Sequence, residues 1–140
     1  MNPLELLKTI QPVWINRVVQ TLARGTRLRD DLKVQAETFF IKLEQALETG
    51  DPAWLDPVLK EWSLSLTLSD LEVSTSSLLK FTLLLHQITI ETCREVLDEG
   101  QAIELITALF PLFNYITENS AQLEMEAKVS HLTSQLEQTR

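Results

Sequence analysis

The chain has 140 residues, enough for one domain with a real hydrophobic core, and its 44% apolar content excludes a disordered polymer. Three Gly and five Pro are too few for the turns of an all-β fold, and one cysteine, Cys93, excludes an internal disulfide and any Cys-based zinc cluster. Net charge is −8, yet residues 1–29 carry Lys8, Arg17, Arg24, Arg27 and Arg29 against Glu5, a local +4 that leaves an acidic body poorly suited to nucleic acid.

Asn2 before Pro3 is a helix start: a capping side chain, then a residue whose missing N–H costs nothing there. Leu4, Leu7, Ile10, Trp14, Val18 and Leu22 follow at spacings of three and four and predict one apolar helical stripe. Pro12 predicts a kink or a restart inside it, and Gly25 an end. A second helix is predicted from about residues 26–30 to Gly50, on the stripe Leu28, Leu32, Ala36, Phe39, Phe40, Leu43 and Leu47. Asp51-Pro52 repeats the cap-plus-proline device and opens a shorter third helix through Trp54, Leu55, Val58, Leu59 and Trp62, with Pro57 as a second start.

Between residues 63 and 69, Leu64, Leu66 and Leu68 alternate with Ser65 and Thr67, which imitates a strand but has no partner strand, so an extended connection is expected. Thr67 with Asp70, and Ser69 with Glu72, are both capping-box patterns that can open a fourth helix. That helix runs through Leu71, Leu78, Leu79, Phe81, Leu83, Leu84, Leu85, Ile88, Ile90, Cys93 and Leu97, and its apolar middle predicts the most buried helix, closed by Gly100. The last helix starts near Gln101, with Ile103, Ile106, Leu109, Phe110, Leu112, Phe113 and Ile116 facing the core and a kink expected at Pro111. Beyond Glu118 the composition turns to Glu, Gln, Ser and Lys without a breaker. Met125, Val129, Leu132 and Leu136 fall at spacings of four, three and four, the seam of a two-stranded coiled coil. The chain reaches Arg140 with no closing cap, so a continuing helix is expected.

No constellation carries chemistry. There is no Gly-rich phosphate loop, no His-Glu-x-x-His and no nucleophile elbow. His86 lies in the apolar centre of the fourth helix; a core or interface histidine is expected rather than a haem ligand, so no cofactor is assigned. His131, in Ser130-His131-Leu132, lacks the acidic residue and the later Thr-Pro that a phospho-accepting box requires. Asp30-Asp31 suits a helix N-terminus, whereas Asp98-Glu99 falls at the unfavourable end of the fourth helix and is unexplained at this level. Trp14, Trp54 and Trp62 are expected as core anchors. No apolar run is long enough to span a membrane and the N-terminus is not that of a signal peptide, so a cytoplasmic, non-catalytic protein is expected.

Residues 43–116 resemble the helical N-terminal domains of RsbR-type stressosome proteins and of related sensor histidine kinases. The resemblance rests on Ala46-Leu47-Glu48-Thr49-Gly50-Asp51, the Ser69-Asp70-Leu71-Glu72 opening, the apolar helix around His86 and the aromatic Leu109-Phe110-Pro111-Leu112-Phe113 helix with its helical exit. It implies a globin-like or related bundle that dimerises, binds no haem, has no catalytic residues and relays a signal through a C-terminal linker helix. The expectation is therefore an all-α bundle of about five helices over residues 1–117 and a coiled-coil exit helix over 118–140. Function divides between a dimeric sensory or regulatory module feeding an output domain and a stand-alone interaction protein that docks its last helix on another protein.

Overall fold

The computed structural model describes residues 2–22, 26–64 and 78–138, with the side chains of residues 26–30 and of His131 outside that description. Every regular element among them is helical: α1 (Pro3–Leu22), α2 (Thr26–Thr49), a 3-10 turn (Pro52–Leu55), α3 (Asp56–Leu64), α4 (Leu78–Val96) and α5 (Glu99–Gln138). The fold is an all-α bundle with a long C-terminal helix. The expected extended connection over residues 63–69 is helical at Ser63 and Leu64, where α3 ends; its remainder, the two capping boxes, Leu71 and Gly25 lie outside the described residues.

Helix ends follow local chemistry. Asn2 Oδ1 accepts the Glu5 N–H at 2.9 Å while Glu5 Oε2 accepts the Asn2 N–H at 3.3 Å, a reciprocal cap that satisfies two donors at the start of α1. At the end of α2, Gly50 takes φ 74° and its N–H donates to the Ala46 carbonyl at 2.9 Å. A side chain would strain that left-handed turn. Asp51 Oδ1 then accepts the Ala53 N–H at 3.0 Å and opens the 3-10 turn, and Asp56-Pro57 starts α3 directly after it.

The junction of the last two helices corrects the sequence reading. α4 ends at Val96, and Gly100 lies in the first turn of α5 rather than closing α4. Asp98 is the cap: its Oδ1 accepts the Gln101 N–H at 2.8 Å and its carbonyl the Ala102 N–H at 2.8 Å. Asp98-Glu99 thus sits at the positive end of α5, which accounts for an acidic pair that looked misplaced on α4. Asp30-Asp31 shifts the other way: the first turn of α2 holds no acidic residue, and the pair lies just beyond that turn.

Neither Pro12 nor Pro111 ends its helix. Each removes one N–H and orphans one carbonyl a turn earlier, at Lys8 and at Thr107. All four residues are exposed, on the solvent side of their helices, where such a loss is cheapest.

The core is a continuous set of Leu, Ile, Phe and Trp side chains drawn from every helix. A chain of rings crosses it. Trp14 (α1) lies 5.9 Å from Phe39 and 5.1 Å from Phe40 (α2); Phe39 reaches Trp62 (α3) at 5.6 Å and Phe113 (α5) at 6.4 Å. Trp62 meets Phe81 of α4 edge-on at 4.9 Å. The Trp14 indole N–H is not wasted: it donates to Thr89 Oγ1 at 2.8 Å, and that hydroxyl donates to the Leu85 carbonyl at 2.7 Å. Trp14 and Trp62 are anchors as expected, but Trp54 is 39% exposed on the 3-10 turn, with Lys42 Nζ 5.5 Å from its ring centre.

The central element is α5, not α4. Among the described residues α4 packs on α1 and α5 and leaves Leu83 half-exposed, whereas α5 packs against α1, α2, α3, α4 and the 3-10 turn. Arg17 ties α1 to α4 through Glu91 and Glu95. One residue of the basic first segment is therefore engaged by acidic surface of the same chain.

Candidate functional site: the last helix

α5 is 40 residues long, about 60 Å at 1.5 Å per residue, far more than its bundle needs. Ala102, Leu105, Leu109, Leu112, Phe113 and Ile116 are buried along one face, and burial on that face continues past residue 117 through Ser120 to Glu124. The stripe turns polar as it leaves the core. Ser120 Oγ and Gln45 Oε1 are the fully buried side-chain polar atoms left without a partner among the described residues. Past Glu124 no described side chain is buried, and the helix projects from the bundle.

The seam residues Met125, Val129, Leu132 and Leu136 all lie on this projection, between 56% and 68% exposed. At about 100° per residue they share one narrow face, on the side of the helix away from the core stripe. Two residues assigned to the core by sequence belong with them instead. Ile103 and Phe110 are 59% and 54% exposed, because the helical repeat carries them to the outer face while Ala102, Leu105 and Leu109 turn inward. The core members of α5 missed by sequence, Ala102 and Leu105, adjoin Ile103 and Ile106, the residues on which the expected stripe was drawn. α5 is thus apolar on two opposite faces, the pattern of a helix with neighbours on both sides.

The other sequence candidates lie apart from this face. His86 stacks flat on Phe113, ring centres 4.4 Å apart and planes 3° from parallel, and burial pushes its pKa below the ordinary histidine value. The imidazole is neutral at pH 7 and works as a packing ring. Burial pushes the Cys93 thiol up to about 11, which leaves it protonated and unreactive. His131 falls on the projecting part of α5.

A groove of about 210 Å³ opens between α3 and α5, lined by Asp56, Leu59, Lys60, Asn119, Gln122, Leu123 and Glu126. Near it the Tyr115 hydroxyl donates to Asp56 Oδ1 at 2.6 Å; that bond, with burial and the charges of Asp56 and Asp51, pushes the phenol up to about 12. The bond pins α3 to α5, and a phenol held that high has no acid–base role near neutrality. The groove is smaller than the roughly 300 Å³ at which small-molecule pockets begin. Among the described residues no group of three or more His, Cys, Asp or Glu could hold a metal ion, and no helix is long and apolar enough to cross a membrane.

Comparison with known proteins gives no lead: no family model, no curated protein and no solved structure matches the chain. The outer face of α5 stands on its geometry alone.

Proposed function

We propose that the chain is a non-catalytic sensory or regulatory module that dimerises and passes a signal through α5 to an output domain, as its resemblance to stressosome-type sensor domains implies. One observation carries this reading. A single unbroken helix builds the core with its first half and presents the Met125, Val129, Leu132 and Leu136 seam with its second. A change in how the bundle seats Leu105, Leu109 or Phe113 therefore rotates or tilts the seam, because one continuous helix joins them. A soluble cytoplasmic protein that takes no haem and contacts neither nucleic acid nor membrane fits the same reading.

The test is one of helical phase. The chain is fused after Arg140 to a reporter kinase domain whose activity depends on dimer geometry. Deleting residues 130–135 rotates the downstream chain by about 120°, whereas deleting 130–136 leaves it within about 20° of its original phase. Both proteins are first shown to be dimeric. The six-residue deletion locks the reporter on or off, and the seven-residue deletion leaves it near the parent level. Equal output from two dimeric variants rejects the relay and favours the competing reading, in which the exposed seam is a docking helix for another protein.

A further inference from the structure

We infer that a second copy of this chain packs along the entire outer face of α5, parallel and in register, and that the interface follows an 11-residue repeat rather than the two heptads of the projecting seam. The inference rests on the dimeric reading above and extends it into the bundle.

The face is picked out by exposure and spacing together, with exposed Pro111 and Lys128 at its two margins. Ile103, Thr107, Phe110, Asn114, Glu118, Ala121, Met125, Val129, Leu132 and Leu136 are all exposed, and their spacing is four, three, four without a slip from first to last. Positions 103, 114, 125 and 136 start successive 11-residue units. At about 100° per residue the ten fall within an arc of roughly 100°, opposite the stripe that Leu105, Leu109, Leu112 and Ile116 bury. Eleven residues in three turns is 3.67 per turn, so two such helices pair nearly straight, with a slight right-handed wrap. A seven-residue register continued back from the seam would instead select Gln122, Tyr115 and Ala108 and leave Ile103 and Phe110 outside.

Area favours the long interface. Each half-exposed large side chain offers roughly 100 Å², so four from each copy bury about 800 Å², below the roughly 1,200 Å² of a stable complex. Adding Ile103, Phe110 and the four smaller positions from each copy passes that threshold. A two-heptad seam is also short for an independent coiled coil.

Orientation follows from matching like with like. The stripe reads the same in either direction, so an antiparallel pair is sterically in register too. It would set Thr107 against Leu132, Asn114 against Met125 and Glu118 against Ala121, each polar group facing an apolar one. The parallel pair sets Thr107 on Thr107, Asn114 on Asn114 and Glu118 on Glu118, and keeps apolar layers apolar. An asparagine facing its own copy is a device that fixes register in paired helices. The facing glutamates repel, which holds the middle of the interface looser than its two ends.

Cysteine cross-linking tests this on the whole chain, since Cys93 is buried with its thiol at about 11 and takes no part at pH 8. Thr107→Cys sits on the bundle and Leu132→Cys on the projection. Mild oxidation is expected to link each variant to itself and to give no mixed product when the two are combined. Mixed product only, with no self-linking, overturns the parallel register. Self-linking of Leu132→Cys without Thr107→Cys overturns the long interface and leaves the dimeric reading standing. A monomer mass by light scattering at tens of micromolar sinks both. Glu118→Gln is expected to tighten dimerisation at pH 7 by roughly three-fold. No change there shows that the glutamates are not apposed and rejects the register.

Discussion

Thr89→Val isolates one buried bond. Thr89 is 2% exposed, and its hydroxyl is the acceptor for the indole N–H of fully buried Trp14 across 75 residues of sequence, at 2.8 Å. Valine keeps the shape and removes the acceptor. The Leu85 carbonyl, which also receives the Thr89 hydroxyl, retains its helical partner, so its loss is small. The cost is therefore that of an orphaned indole N–H, about 1–3 kcal/mol, partly offset by the added methyl; a net of about 1.5 kcal/mol is expected. In urea, with a slope of about 2 kcal/mol per molar, the midpoint falls by roughly 0.7 M. Far-UV circular dichroism at fixed protein concentration reads it, since a dimer's midpoint depends on concentration. The decisive comparison is the same change in a Trp14→Phe background, where there is no donor to strand. There Thr89→Val is expected to be neutral or slightly stabilising, a coupling of about 1 kcal/mol or more. A neutral Thr89→Val, or an equal cost in both backgrounds, would refute the assignment of that bond to stability.

Two further outcomes rest on local chemistry. Asp98→Ala removes the side-chain cap of α5 and is expected to cost about 1 kcal/mol in urea unfolding, whereas Asp98→Asn keeps the acceptor and costs less than half of that. His86 binds its proton less readily folded than unfolded, so the unfolded chain holds more protons as pH falls below about 6.5 and stability drops there. Unfolding midpoints at pH 7.5 and 5.5 are expected to show that loss in the parent and a smaller one in His86→Gln. Glu44, whose carboxyl is raised mainly by burial and by Glu48 against the lowering effect of Lys8, titrates alike in both proteins and cancels in the difference.

The helices were legible where a cap is a local event. Asn2-Pro3, Gly50 and Asp51-Pro52 announce their roles because the partners lie within three or four residues. The α4–α5 junction was not, because only Leu97 and Asp98 separate the two helices and a glycine there reads equally as an end or an interior residue. Ile103 and Phe110 were misplaced for a different reason. On a helix apolar on both sides, hydrophobicity alone does not tell which side is inward, and only the buried Leu105 and Leu109 fix the phase. Trp54 shows the limit of treating a large aromatic ring as an anchor: its 3-10 turn points it outward beneath Lys42. The Trp14–Thr89 bond leaves no periodic trace at all, being a meeting of two helices far apart in sequence.

The ring chain through the core also sets an order on folding. Trp14 and Phe39 can meet as soon as α1 and α2 have left the ribosome, since a short link joins them. Phe39 must then wait for Phe113, and Trp14 for the hydroxyl of Thr89. Until α5 arrives, the faces of α1, α2 and α4 that it covers stay wet, and the early hairpin holds only part of its eventual burial. Such long-range closures slow folding and leave sticky surface open while synthesis proceeds. During translation the bundle is therefore an incomplete shell until the helix that also carries its outer face has emerged.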